Sequence, residues 1–140
     1  MKKIAIVYWS GTGNTEAMAA AVSDGAKEAG GEVTLLGPTE FAADQMDAYD
    51  AVAFGCPAMG AEQLEECDYE PMFTACEPKL SGKRIALFGS YGWGDGEWMR
   101  LWEKRCVSKG AVLACPPVIC NEFPDDDGKS ACRALGAALL

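Results

Sequence analysis

The sequence predicts a doubly wound α/β domain built on a five-stranded parallel sheet of order 2-1-3-4-5. Short unbroken apolar runs, such as Ile4 to Tyr8 and Ala51 to Gly55, read as strands buried on both faces. Stretches of helical spacing lie between such runs, and strands that alternate with helices pair in parallel, because each parallel return needs a crossover. Right-handed crossovers leave few topologies, and the 2-1-3-4-5 order suits a chain of 140 residues.

Taken in order, Ile4 to Tyr8 is strand one. The helix that follows starts near Glu16, with Met18, Ala21, Val22 and Ala26 at helical spacing and Gly30-Gly31 as its stop. Glu32 to Leu36 is strand two, and Ala51 to Gly55 is strand three. Helical spacing returns between Glu65 and Cys76 and is stopped by Pro78. Arg84 to Gly89 is strand four. A helix from about Gly96 to Lys109 carries Met99, Trp102 and Cys106 on one face. Strand five runs through Ala111 to Cys115 and resumes around Val118 to Cys120. Asp125, Asp126 and Asp127 suit a helix N-terminus, and the final helix buries Ala131, Leu135 and Leu139.

The chain reads as a single domain, 1–140, without linker or repeat. Its apolar runs are too short and too broken to span a bilayer, and Met1-Lys2-Lys3 enters the first strand with no cleavage region, so a cytoplasmic monomer is expected. The seven cysteines include no C-x-x-C pair and the chain has no histidine, which leaves a zinc or iron–sulfur site without its usual spacing. Most of these thiols are expected to be reduced and buried, filling core space. Lack of histidine also removes the commonest general base, which weakens hydrolase and transferase readings. The net charge of −9 argues against nucleic acid and anionic membranes; it fits plain solubility or docking to a basic patch on a partner.

In a sheet of this order, ligands bind beyond the carboxyl ends of strands one, three and four. Strand one delivers Ser10, Gly11, Thr12, Gly13, Asn14 and Thr15 into a helix start. The unpaired amides and partial positive charge of such a terminus hold an anion without a cationic side chain, and the hydroxyls and amide here add donors. A terminal phosphate monoester, with three free oxygens, uses that surplus better than a bridging pyrophosphate does. The NTPase loop is excluded because Asn14-Thr15, not Lys-Ser/Thr, follows Gly13. The dinucleotide fingerprint is excluded because Glu16 stands where its third glycine belongs. The same residues also suit a plain Ser/Thr-rich cap. Strand three delivers Pro57, Ala58, Met59, Gly60, Ala61 and Glu62, and strand four delivers Ser90, Tyr91, Gly92, Trp93, Gly94, Asp95 and Gly96. Glycines around Trp93 let a planar ligand approach both ring and backbone.

With VYWSGTGNTE, AMGAEQLEE and ALFGSYGWGDGEWM in this order and spacing, the chain resembles the short-chain flavodoxins of the clostridial type, FMN-dependent electron carriers, over essentially its whole length. The resemblance implies a flavodoxin-like fold and non-covalent FMN, with Ser10 to Thr15 on the phosphate and Trp93 on the outer flavin face. It implies Met59 on the inner face, the Gly60 carbonyl at flavin N5, and Glu62 on the pyrimidine edge with Gly92 and Asp95. Ala61 departs from the family, which commonly has Asp, Asn or Gly there. Trp9, Trp98 and Trp102 read as packing residues. A low-potential one-electron carrier that docks to reductases and low-potential acceptors is expected. The alternative is an FMN-dependent quinone or nitro-reductase on the same fold, which needs a nicotinamide platform for which the compact loops offer no evident room. A phosphoacceptor receiver domain needs acidic residues at the ends of strands one and three, where Tyr8-Trp9-Ser10 and Cys56-Pro57 stand.

Overall fold

A computed structural model describes residues 1–60 and 62–140. The elements are β1 (Lys3–Tyr8), α1 (Asn14–Glu28), β2 (Glu32–Leu36), β3 (Ala51–Gly55), α2 (Tyr69–Cys76), β4 (Arg84–Tyr91), α3 (Glu97–Ser108), β5 (Val112–Leu113), β6 (Val118–Asn121) and α4 (Asp126–Ala138). The strands pair in parallel in the order β2-β1-β3-β4-β5, and β6 also pairs with β4.

β5 and β6 are two halves of the fifth sheet position. β5 pairs with Arg84 and Ile85, and β6 pairs with Phe88 to Tyr91. Pro116-Pro117 falls between the halves, and proline has no amide to give a ladder. The β2–β3 connection departs from strict alternation: it holds 3₁₀ turns over Pro38–Glu40 and Ala43–Ala48 in place of an α-helix.

Side chains alternate across the sheet, so each strand feeds both cores. Ala5, Val7, Val52, Phe54, Ile85 and Leu87 face Tyr69, Phe73, Trp98 and Trp102 of α2 and α3. Ile4, Ile6, Ala53, Ala86 and Phe88 face Met18 and Val22 of α1, Cys132 and Leu135 of α4, and Leu139 just past its end. Trp98 and Trp102 are buried packing residues, as expected from their helix.

α1 and α4 cross at very short range. A Cβ on Gly25 would lie 2.0 Å from the Arg133 carbonyl oxygen, and one on Gly136 would lie 2.0 Å from that of Val22. Neither obstacle is a side chain that can swing aside. Alanine gains about 1 kcal/mol in helix propensity over glycine, while overpacking costs about 1 to 3 kcal/mol and more when backbone must move. Gly136→Ala should therefore lower stability by a net amount of at least about 1 kcal/mol in thermal unfolding. A stabilised variant would mean that the helices separate freely.

Candidate functional site

The loops after β1, β3 and β4 meet at the carboxyl edge of the sheet, where they bound a cleft of about 490 Å³. Trp9, Gly11 and Thr12 line it from the first loop and Asn14 from the start of α1, Pro57, Ala58 and Met59 from the second loop, and Ser90 and Tyr91 from the end of β4, two residues beyond the strand end the apolar run indicated, with Gly92 from the loop after it. Glu122 and Phe123, from the β6–α4 connection, complete the wall.

The first loop is shaped by Ser10. Its Oγ accepts hydrogen bonds from the amides of Gly13 (3.1 Å) and Glu16 (3.2 Å), so both lone pairs are engaged and the hydroxyl proton remains for a ligand. Gly13 has φ 95, and α1 starts at Asn14, two residues before the apolar spacing indicated. Among the described residues, no backbone group accepts from the amides of Thr12, Asn14 or Thr15. Ser10 Oγ thus takes up one amide of the first turn of α1, and the loop keeps free donors. Thr15 is buried, and its Oγ1 lies 2.7 Å from Ser90 Oγ, tying the first loop to the third. Trp9 packs on the core and also lines the cleft, with its ring under Gly11.

The second loop closes through a reciprocal pair, Met59 N to Gln63 O (2.8 Å) and Gln63 N to Met59 O (3.1 Å). Gly60 has a positive φ, 48, and Glu62 is also left-handed at φ 55. Ala61 lies outside the described residues. Glu62 does not line the cleft. Its Oε2 accepts from the Trp98 amide at 2.9 Å, which caps the start of α3, and its Oε1 would lie 2.0 Å from any Cβ on Gly94. Gly94, at φ 90, thus allows that carboxylate to reach the helix.

Trp93 is 71% exposed and stands outside the cleft lining, next to Gly92. Asp95 pairs with Arg100 (3.1 Å), and Gly96 begins α3 at φ 88. These residues shape the third loop.

Behind the second loop lies the buried Glu65, whose carboxylate accepts from the amides of Cys67 (2.8 Å), Asp68 (2.8 Å) and Tyr69 (2.9 Å). This explains why α2 begins at Tyr69 and not at Glu65, where helical spacing starts. Burial pushes the Glu65 carboxyl up, but those amides together outweigh it and hold the group below its ordinary range. Arg105 bonds Glu70 and Glu77 and lowers both carboxyls, locking α2 to α3. All seven cysteines are free, and burial pushes the Cys56, Cys106 and Cys132 thiols up to about 12 and Cys76 to about 11. Protonated and buried, these four fill space.

No cationic side chain lines the cleft, and Glu122 is the one charged residue among the described lining residues. The sequence motifs did not point to Glu122 or Phe123. The family model described as flavodoxin matches residues 6–136 of the chain. The chain belongs to the flavodoxin family. Flavodoxins are FMN-binding electron carriers, so this protein is an electron-transfer protein and not an enzyme. It is 46% identical to the flavodoxin of Megasphaera elsdenii over 135 residues, 96% of each chain, and 46% identical to that of Clostridium beijerinckii over 121 residues, 86% of this chain and 88% of that one. The solution structure of two-electron reduced Megasphaera elsdenii flavodoxin superposes with a TM-score of 0.89 over 97% of each chain. The reductase alternative gains no support from these relatives.

The depressed carboxyls predict how stability follows pH. A carboxylate lowered in the folded state contributes stability above its unfolded value of about 4.3, and that contribution is lost as pH falls through the folded value. The unfolding midpoint of this flavodoxin should therefore drop as pH is lowered from about 5. Glu65→Gln should be less stable than wild type at pH 7, and its midpoint should depend less steeply on pH. An identical pH profile would mean that Glu65 carries no such linkage.

Proposed function

We propose that this flavodoxin is a low-potential carrier that binds FMN in the cleft, with the phosphate on the Ser10 to Thr15 loop and the flavin between Met59 and the Tyr91–Trp93 segment. One observation carries the reading: a helix N-terminus with free neutral donors opens into the same cleft as the apolar Pro57, Ala58 and Met59 and the ring-bearing Tyr91. The cleft fits that group in its chemistry. Free amides and hydroxyls suit a phosphate without a cation, and Ala58, Met59 and Tyr91 suit an apolar ring. FMN supplies the redox chemistry when bound.

The chain's own residues bind, orient and set the energetics. Ser10, Thr12 and Asn14 direct donors at the phosphate, and Thr15 positions the loop through Ser90. Pro57, Ala58 and Met59 cover the inner face. Trp93 covers the outer face, turning on Gly92 and Gly94. Gly60 would present its carbonyl to the ring edge. Glu62 caps α3, so a bond from it to the pyrimidine edge requires its carboxylate to turn toward the cleft; Asp95 and Gly96 hold the loop that Trp93 sits on. Glu122 and the net charge of −9 make added negative charge in the cleft unfavourable, which lowers the potential at which the protein gives up electrons.

Among the described residues no helix is long and apolar enough to cross a membrane. A cytoplasmic monomer that meets reductases and acceptors through their basic patches fits the acidic surface. Electron transfer to such a partner should slow as salt rises under conditions where association limits the rate, because opposite charges are screened beyond about 8 Å at physiological ionic strength. A second-order rate indifferent to salt would rule out electrostatic steering.

The phosphate assignment is tested by titrating apoprotein with FMN and with riboflavin, read by quenching of flavin fluorescence. Thr12→Ala should weaken FMN by roughly 1 to 3 kcal/mol and leave riboflavin unchanged. Equal affinity of the wild type for the two flavins would show that the loop holds no phosphate.

A further inference from the structure

Phe123 lines the cleft although it is 58% exposed, and the Lys129 ammonium lies 5.1 Å from its ring centroid. A large ring on a loop sweeps many positions unless it is held, and here the backbone on both sides is anchored. Before it, the Glu122 amide donates to the Tyr91 carbonyl at 2.7 Å, which fixes the loop to the end of β4. Glu122 itself is left-handed at φ 58, a conformation unfavourable to a residue with a Cβ, and this sets the direction in which the chain enters Phe123. After it, the buried Pro124 restricts the backbone, and Asp125 Oδ1 accepts from the Gly128 amide at 2.7 Å to start α4, the helix that carries Lys129. Both members of the cation–π pair therefore sit on fixed backbone.

We propose that Phe123, steadied by Lys129, is a cofactor-positioning residue that forms an apolar side wall against the ribityl and ring portion of FMN. The inference rests on the reading that FMN occupies this cleft. An aromatic ring offers a phosphate nothing, and the phosphate donors belong to the first loop, whereas Phe123 is tethered to Tyr91 on the β4 side. The portion of the ligand it contacts is the part that FMN and riboflavin share. The Lys129 ammonium is engaged by the ring, in keeping with a cleft lined by no cationic side chain.

The test measures the dissociation constants of apoprotein for FMN and for riboflavin by fluorescence quenching, with circular dichroism melting as the check on folding. Phe123→Ala should weaken both flavins by the same factor, about tenfold, through lost apolar contact. Phe123→Leu should retain most of the wild-type affinity for both. Lys129→Gln, which leaves the ring in place without its cation, should weaken both by about twofold to threefold. Unchanged constants for both flavins in Phe123→Ala would overturn the proposal, and so would a loss confined to FMN, because the effect would then run through the phosphate loop. Failure of the wild type to bind either flavin would instead overturn the cofactor assignment, and this inference with it.

Discussion

Every wall of the cleft hangs on the hydrogen-bond ladder of the parallel sheet, which continues past the ends of the strands. Trp9 N bonds Gly55 O at 3.0 Å, Cys56 N bonds Phe88 O at 3.1 Å, Ala58 N bonds Ser90 O at 3.0 Å, and Glu122 N bonds Tyr91 O at 2.7 Å. These bonds run from the first loop to the end of β3, from the second loop to β4, and from the β6–α4 connection to the end of β4. Side chains reinforce the same joints from within the layers. The buried Tyr69 hydroxyl donates to the Val7 carbonyl at 2.7 Å, and Trp98 Nε1 donates to the Cys56 carbonyl at 3.2 Å. Buried polar groups of this kind are costly unless fully paired, so each joint that forms is held in one geometry. The loops are therefore delivered as one unit and not as independent flexible segments.

That dependence explains what was legible in the sequence. The apolar runs fixed where β1, β3 and β4 lie, and the turn residues after Tyr8, Gly55 and Gly89 marked the loops that meet at the cleft. Helix starts were less legible because tertiary partners set them. The Ser10 hydroxyl, accepting from the Gly13 and Glu16 amides, draws α1 back to Asn14, and the carboxylate of Glu65 delays α2 to Tyr69. A buried glutamate that bonds three amides leaves no mark in hydrophobic periodicity. The connection between β2 and β3 was equally silent, since short 3₁₀ turns have no apolar stripe to read.

Glu122 and Phe123 escaped for a different reason. Motif reading stopped at the loops after strands one, three and four, where the switch in strand order opens the crevice. Yet the predicted order already set strand five beside strand four, so the residues after Cys120 had to emerge next to those after Gly89. The signal lay in the topology, and two large side chains between Asn121 and Pro124 were what it would have picked out. Trp9 shows the reverse case: its packing role was read correctly, and its second face, toward the cleft, depended on how closely Gly11 approaches the ring.

On the proposed reading, an acidic protein with an acidic residue in its cleft also holds a phosphate, and the two demands fall to different ranges of interaction. Hydrogen bonds from the amides of Thr12, Asn14 and Thr15 act only at contact distance and along fixed directions, and the partial charge of α1 fades within its first turn. The Glu122 carboxylate acts over several ångströms, and no cationic side chain is among the described lining residues. A lysine in the first loop would hold the phosphate as well, but it would also offset Glu122 and weaken the penalty on added electrons. On that reading, binding through neutral, short-range donors leaves the long-range field of the protein to set the potential, which accords with the absence of lysine, arginine and histidine from Ser10 to Thr15.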